Sequence, residues 1–243
     1  LPQLAIASAV RRLAIRKWVW VLGSVLQAVA IAFIAVVAYT LDGSSAGWAI
    51  LGLLVVFSLA RGLSSVSSKD VLGKTIPKQR RGSLNGWAES GAGLITLVVA
   101  ALLMSGLSTE GSRDLYAAGF GLAALCWLLA GGIFSGIKEF PGETDGGRNG
   151  LKEALGRVGL LRTDAAFRHF LLTRALMLCS ALAAPFMVVL AQQEMEAALS
   201  LLALFMAASG LASLVSGRFW GRFADTSSRR VMVSSGLMTA GTG

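Results

Sequence analysis

The chain has 243 residues, 55% of them hydrophobic and only 14% charged, with a formal net charge of +9. A water-soluble domain carries about a quarter charged residues, so the deficit and a mean hydropathy of +0.69 exclude an ordinary soluble fold. In a soluble protein a charge of +9 would point to nucleic acid, but the placement of the charges along the chain argues against that.

A helix needs about 20 apolar residues to cross roughly 30 Å of hydrocarbon, so uncharged runs are the informative objects. They fall at residues 18–40, 43–60 (resuming to 68 after Arg61), 90–109, 115–137, 175–193 and 197–217. Residues 1–10 read as the tail of an earlier span, and residues 231–243 begin a later one. Both ends of the chain look cut. The expected fold class is an all-α membrane protein, a polytopic transmembrane helix bundle with six complete spans and two partial ones. Strands are excluded at this depth, because an open sheet edge leaves its backbone unsatisfied in lipid.

The connections alternate in charge. Every basic residue except Arg61, Arg113 and Arg174 falls on one side of the membrane. The positive-inside rule makes that side cytoplasmic and predicts a multi-pass protein of the plasma membrane. Trp18, Trp20, Trp48, Trp87 and Trp220 lie near span ends, where the interface favours them. Cys126 and Cys179 sit in apolar runs and read as packing residues. The longest connection, residues 138–168, separates a first bundle portion (1–137) from a second (169–243). Pro141, Gly142, Gly146, Gly147 and Gly150 predict a flexible start. Leu151, Leu155, Val158 and Leu161 then predict an amphipathic helix on the membrane face.

After the last complete span the chain reads Gly221-Arg222-Phe223-Ala224-Asp225-Thr226-Ser227-Ser228-Arg229-Arg230. This resembles the loop signature of the major facilitator superfamily (MFS), a glycine turn followed by an acidic residue and a basic pair. Thr226 and Ser228 depart from the usual residues. The resemblance implies that the chain runs from the end of helix two to the start of helix nine. The first copy of the signature would begin near Ala7, where the basic part, Arg11, Arg12 and Arg16, remains without its glycine or acid. Arg61 followed by Gly62, Ser64, Ser65 and Ser67 is similar to the family's helix-four arginine and its small residues. Arg80-Arg81-Gly82 is similar to the family's connection between helices four and five. The proline-glycine signature of drug–proton antiporters is not found, although Gly86, Gly91 and Gly93 are present.

The resemblance implies a secondary active transporter working by alternating access, and the apolar spans favour efflux. Its expected partners are the lipid bilayer and a small-molecule substrate. A coupling proton or ion is compatible with this reading, nucleic acid is not expected, and oligomeric state is left open. One histidine (His169, read as structural), two cysteines and no acidic pair within the spans leave enzymatic sites without parts, so no catalytic residue, cofactor or metal is expected. The rival is a non-transporting receptor or scaffold on the same fold.

Candidate substrate or gating residues are Arg61, Gln27, Glu89 and Arg174. Arg61 and Arg174 read either as cavity-lining or as snorkelling charges. Glu89 reads as cavity or interface, and Gln27 as an interhelical hydrogen bond or a substrate contact. Pro185 predicts a kink, and Gly132 with Gly136 a close helix approach. Asp225 can accept from the N-terminal amides of a neighbouring helix. Its partner is expected beyond Gly243, with Arg229 or the cap of the following helix as alternatives.

If the basic connections are cytoplasmic, single cysteines at Arg80 and within residues 138–168 of the full-length, otherwise cysteine-free protein will stay unlabelled by an impermeant maleimide in intact cells. Labelling of either from outside would invert the topology.

Overall fold

Lipid offers the backbone no hydrogen bonds, and helix satisfies every amide within its own segment. The computed structural model describes residues 2–104, 113–144, 155–181, 186, 189–190 and 198–242, and among these there is no strand. In chain order the helices are α1 Pro2–Arg11, α2 Lys17–Thr40, α3 Gly43–Thr75, α4 Arg81–Met104, α5 Arg113–Ser135, α6 Leu160–Thr163, α7 Ala165–Ala181, α8 Ala198–Thr226 and α9 Ser228–Thr242. Five of them are long and apolar enough to cross a membrane: α2, α3, α4 with the 3-10 turn before it, α5 and α8. The span expected at residues 175–193 is helical to Ala181 and otherwise lies largely outside the described residues, as does Pro185.

Three helices overrun the apolar runs that announce them. Helix α3 continues to Thr75, α4 begins at Arg81, and α8 ends at Thr226. Charge ends an apolar run, but a helix ends where its backbone is diverted. Pro77 does this after α3, holding Ile76 extended at φ −116° and ψ 127°. Gly43, with φ +66°, takes the left-handed conformation that the tight turn from α2 into α3 requires. Asp225 therefore lies in the last turn of α8 rather than in a loop. Of the expected amphipathic helix, residues 151–154 are outside the described set. Residues 155–156 are helical, 157–159 form a turn, and α6 follows.

The chain divides into two units, residues 1–76 with 111–157 and residues 77–110 with 158–243. In the first, α2 packs against α3 and α5 around Ala28, Ile31 and Ala124, flanked by Phe57, Ala123 and Trp127. Trp20 stacks on Phe134 with ring centroids 4.0 Å apart. Small polar groups join these helices. Ser24 Oγ donates to the Trp127 carbonyl at 2.7 Å. Gln27 Nε2 donates to Ser64 Oγ on α3 and to the Gly23 carbonyl, each at 3.0 Å. Its position there is interhelical and fully buried.

In the second unit α4 and α8 run antiparallel along most of their length. Gly82 faces Gly221, Gly86 faces Gly217 and Gly93 faces Gly210. A Cβ on Gly93 would lie 2.6 Å from the Gly210 carbonyl oxygen, and one on Gly217 would lie 2.8 Å from that of Gly86. The two backbones touch, as small residues permit within membranes. Ser90 Oγ donates across the seam to the Leu214 carbonyl at 3.0 Å. The pair singled out from sequence, Gly132 and Gly136, does not act this way among the described residues: nothing lies within 4 Å of a Cβ at Gly132, and one at Gly136 meets only its own turn. Gly131, one residue earlier, is the one that abuts Ser24. Cys126 and Cys179 are exposed, so among the described residues neither is a buried packing residue.

Gly86→Leu will force α4 from α8 and cost about 3 kcal/mol, read as a lower thermal midpoint in detergent. Gly91→Leu, where a Cβ meets nothing, will leave the midpoint within error of the parent.

Candidate functional site

The close approach of α4 and α8 brings the end of one helix onto the start of the other. Asp225 Oδ1 accepts from the Gly82 amide at 2.6 Å. Its Oδ2 accepts from the Ser83 amide at 2.7 Å and from Ser83 Oγ at 2.6 Å. The first amides of a helix have no partner within it and carry its positive dipole end, so a carboxylate there satisfies both. The partner of Asp225 is thus within the chain, on α4, and not beyond Gly243. Arg229 does not pair with it, and α9 is capped by Ser227, whose Oγ accepts from the Arg230 amide at 3.4 Å. Arg229 and Arg230 are exposed.

Beside this junction an open cleft of about 400 Å³ follows the seam, lined among others by Asn85, Glu89, Ser213, Ser216 and Trp220. Gly82 and Gly221 also border it, so Glu89 and the Asp225 junction share one cleft. Glu89 lies seven residues beyond Gly82, about 10 Å deeper at 1.5 Å per residue. Its carboxylate is exposed and forms no ion pair among the described residues.

In the other unit a second carboxylate plays the part that Asp225 plays here. Glu139, just past α5, has no exposed side-chain surface. It accepts from the Arg16 amide at 2.8 Å and the Lys17 amide at 2.6 Å, the N-cap and the first residue of α2. Lys74 Nζ reaches it from α3 at 3.0 Å. Arg16, itself buried, pairs through Nη1 with Asp70, and its Nη2 donates to the Glu143 carbonyl at 2.9 Å. The Gly142 amide donates to the Ala14 carbonyl at 3.0 Å, so the start of the expected flexible connection is held against the entry to α2. Burial pushes the Glu139 carboxyl up, but the Arg16 and Lys17 amides and Lys74 outweigh it and hold it below the usual carboxylate range.

The other residues singled out from sequence are more scattered. Arg61 is exposed on α3, eight residues and about 12 Å of helix from Lys69. Arg174 and His169 are exposed on α7. Gln27 meets the helix-four patch only through Ser64. Among the described residues no three of His, Cys, Asp or Glu gather as metal ligands. Sequence reasoning missed Asp70, Ser83 and Glu139. Asp70 and Lys74, four apart on one helix face, were a readable pair, while Glu139 offered no signal beyond its place after a span.

A family model described as Major Facilitator Superfamily matches residues 3–243. The chain belongs to the Major Facilitator Superfamily. No curated protein and no solved structure matches it. Membership makes this a multi-pass membrane protein of a transporter family. Among the described residues of this MFS chain three carboxylates cap helix N-termini: Glu139 on α2, Asp225 on α4, and Asp164 on α7, whose Oδ1 accepts from the Phe167 amide at 3.0 Å.

Because the folded pKa of Glu139 is lowered, its stabilisation is complete above the ordinary value of 4.5 and fades as pH falls through the folded value. Glu139→Gln will therefore lower the thermal midpoint at neutral pH by the equivalent of about 2 kcal/mol. The gap to the parent will close as the pH falls below 4.5 and through the lowered folded value. A gap that persists or widens in acid would show that Glu139 is not held charged.

Proposed function

We propose that the chain belongs to a secondary active transporter of small molecules, working by alternating access, with efflux the favoured direction. Residues 1–137 and 169–243 belong to its two helical bundles and residues 138–168 connect them. The basic connections lie in the cytoplasm, in a plasma membrane. Superfamily membership supports transport, and the apolar character of the spans favours amphipathic cargo leaving the cell.

One observation carries the mechanism: the Asp225 carboxylate, at the end of α8, is bonded to the first amides of α4. On the proposed division these helices belong to different bundles. Their glycine seam is then the place where the bundles touch, and Asp225 is a latch on its cytoplasmic end. In the outward-facing state the latch is closed. Opening the cytoplasmic side peels Gly82 from Gly221 and breaks three hydrogen bonds to a charged group. Glu89, one to two turns deeper in the same cleft, is what the cytoplasm first reaches when the latch opens. Arg61, Arg174 and Gln27 are gating or substrate candidates of the same machine.

Asp225→Asn keeps the shape but points an amide hydrogen at the amides of Gly82 or Ser83. In the full-length protein it will slow turnover roughly tenfold or more and shift the population inward-facing, while equilibrium substrate binding stays nearly unchanged. Transport rate and binding measured side by side decide the matter. Collapse of binding with an unmoved inward–outward balance would make Asp225 a substrate contact instead.

A further inference from the structure

Two arginines on α8 are left without a carboxylate, and their surroundings say what they hold. Arg218 and Arg222 stand one turn apart on the same helix face, both exposed. The α4–α8 pair contains two carboxylates in all, and both are elsewhere: Asp225 is committed to the amides of Gly82 and Ser83, and Glu89 lines the separate cleft with Trp220. Helix α9 contains none. Among the described residues neither arginine forms an ion pair.

These arginines border an open groove of about 490 Å³ whose other walls are Val215, Phe219, Phe223 and Thr226. Val215 is 68% and Phe219 64% exposed, so cation and apolar surface lie side by side. Arg218 is fixed in place. Its guanidinium carbon lies over the Trp87 ring of α4, 3.7 Å from the centroid, in a cation–π contact that uses no N–H acceptor. Thr226 marks the end of the helix, so Arg222 is about 6 Å and Arg218 about 12 Å inside it. That is the depth of headgroups and upper acyl chains, with Trp87 as the interfacial aromatic.

We propose that this groove binds an anionic phospholipid from the leaflet on the Asp225 side. The phosphate sits between Arg218 and Arg222, which donate to its oxygens as guanidinium forks suit phosphate geometry, and an acyl chain runs along Phe219 and Val215. A soluble anion would use the arginines but leave that apolar wall bare. Binding lipid to α8 alone, beside the α4–α8 junction, would let the membrane's anionic content bias how readily the two helices part.

The test uses full-length protein in nanodiscs of phosphatidylcholine alone and of phosphatidylcholine mixed with phosphatidylglycerol. Phosphatidylglycerol will raise the thermal midpoint and stay bound in native mass spectrometry. Arg218→Gln with Arg222→Gln will weaken its retention by roughly thirtyfold, as loss of two membrane-surface charges implies. The charge-matched control, Arg229→Gln with Arg230→Gln, will weaken it far less, and Lys at 218 and 222 will restore most of it. Equal loss in both Gln pairs would reduce the effect to general electrostatics and sink the site. Displacement of the lipid from detergent-solubilised protein by millimolar inorganic phosphate would make the occupant a soluble anion, overturning the lipid assignment. Should the 218/222 pair fail to fold, the parent still decides: its retention of phosphatidylglycerol must fall as salt rises, and indifference to salt refutes the proposal.

Discussion

Between membrane helices there is no water to expel, so contact depends on how close the backbones come. The α4–α8 seam is built on that constraint. Gly82, Gly86 and Gly93 lie against Gly221, Gly217 and Gly210 with no room for a Cβ. At that separation the Ser90 hydroxyl reaches the Leu214 carbonyl, Arg218 lies over the Trp87 ring, and Asp225 reaches the Gly82 and Ser83 amides at 2.6 and 2.7 Å. A single methyl group at the centre of the seam would spread the helices and draw out the bonds to Asp225 with it.

Two of the capping carboxylates, one in each unit, share one task. Glu139 takes the first amides of α2 and Asp225 those of α4, each delivered from a distant stretch of chain. The two differ in company. Glu139 is fully covered and has Lys74 beside it, with Arg16 and Asp70 paired next to them, as a buried charge requires. Asp225 draws only on amides and one hydroxyl, so the arginines that follow and precede it are not spent on it. This is why an electrostatic tie at the seam coexists with guanidinium groups on the same helix that form no ion pair among the described residues. It also makes the Asp225 tie separable, since letting go exposes groups that water satisfies readily.

The membrane class, the spans of α2, α3, α5 and α8, and the family were legible in the sequence, because the hydrocarbon imposes one requirement on each segment independently of the others. Apolar runs answer it, and the signature around Asp225 names the family. The same reasoning misjudged ends. Glu89 and Ser68 closed apolar runs, yet α4 begins at Arg81 and α3 continues to Thr75, since helix obeys its own hydrogen bonds and not the limits of the hydrocarbon. The α4–α8 glycines were visible as residues but not as partners. Gly132 and Gly136 had the better motif and touch nothing of another helix.

By itself the sequence determined that the chain must be helical and membrane-spanning, with most of its basic residues in alternate connections, since composition and spacing act locally. Which helix faces which was decided only in three dimensions. Asp225 and Gly82 are 143 residues apart, and Arg16 and Glu139 are 123 apart. No periodicity links such positions. A carboxylate finds an amide there only after glycine has let two backbones meet, and that meeting is a property of the packed pair, which neither helix carries alone.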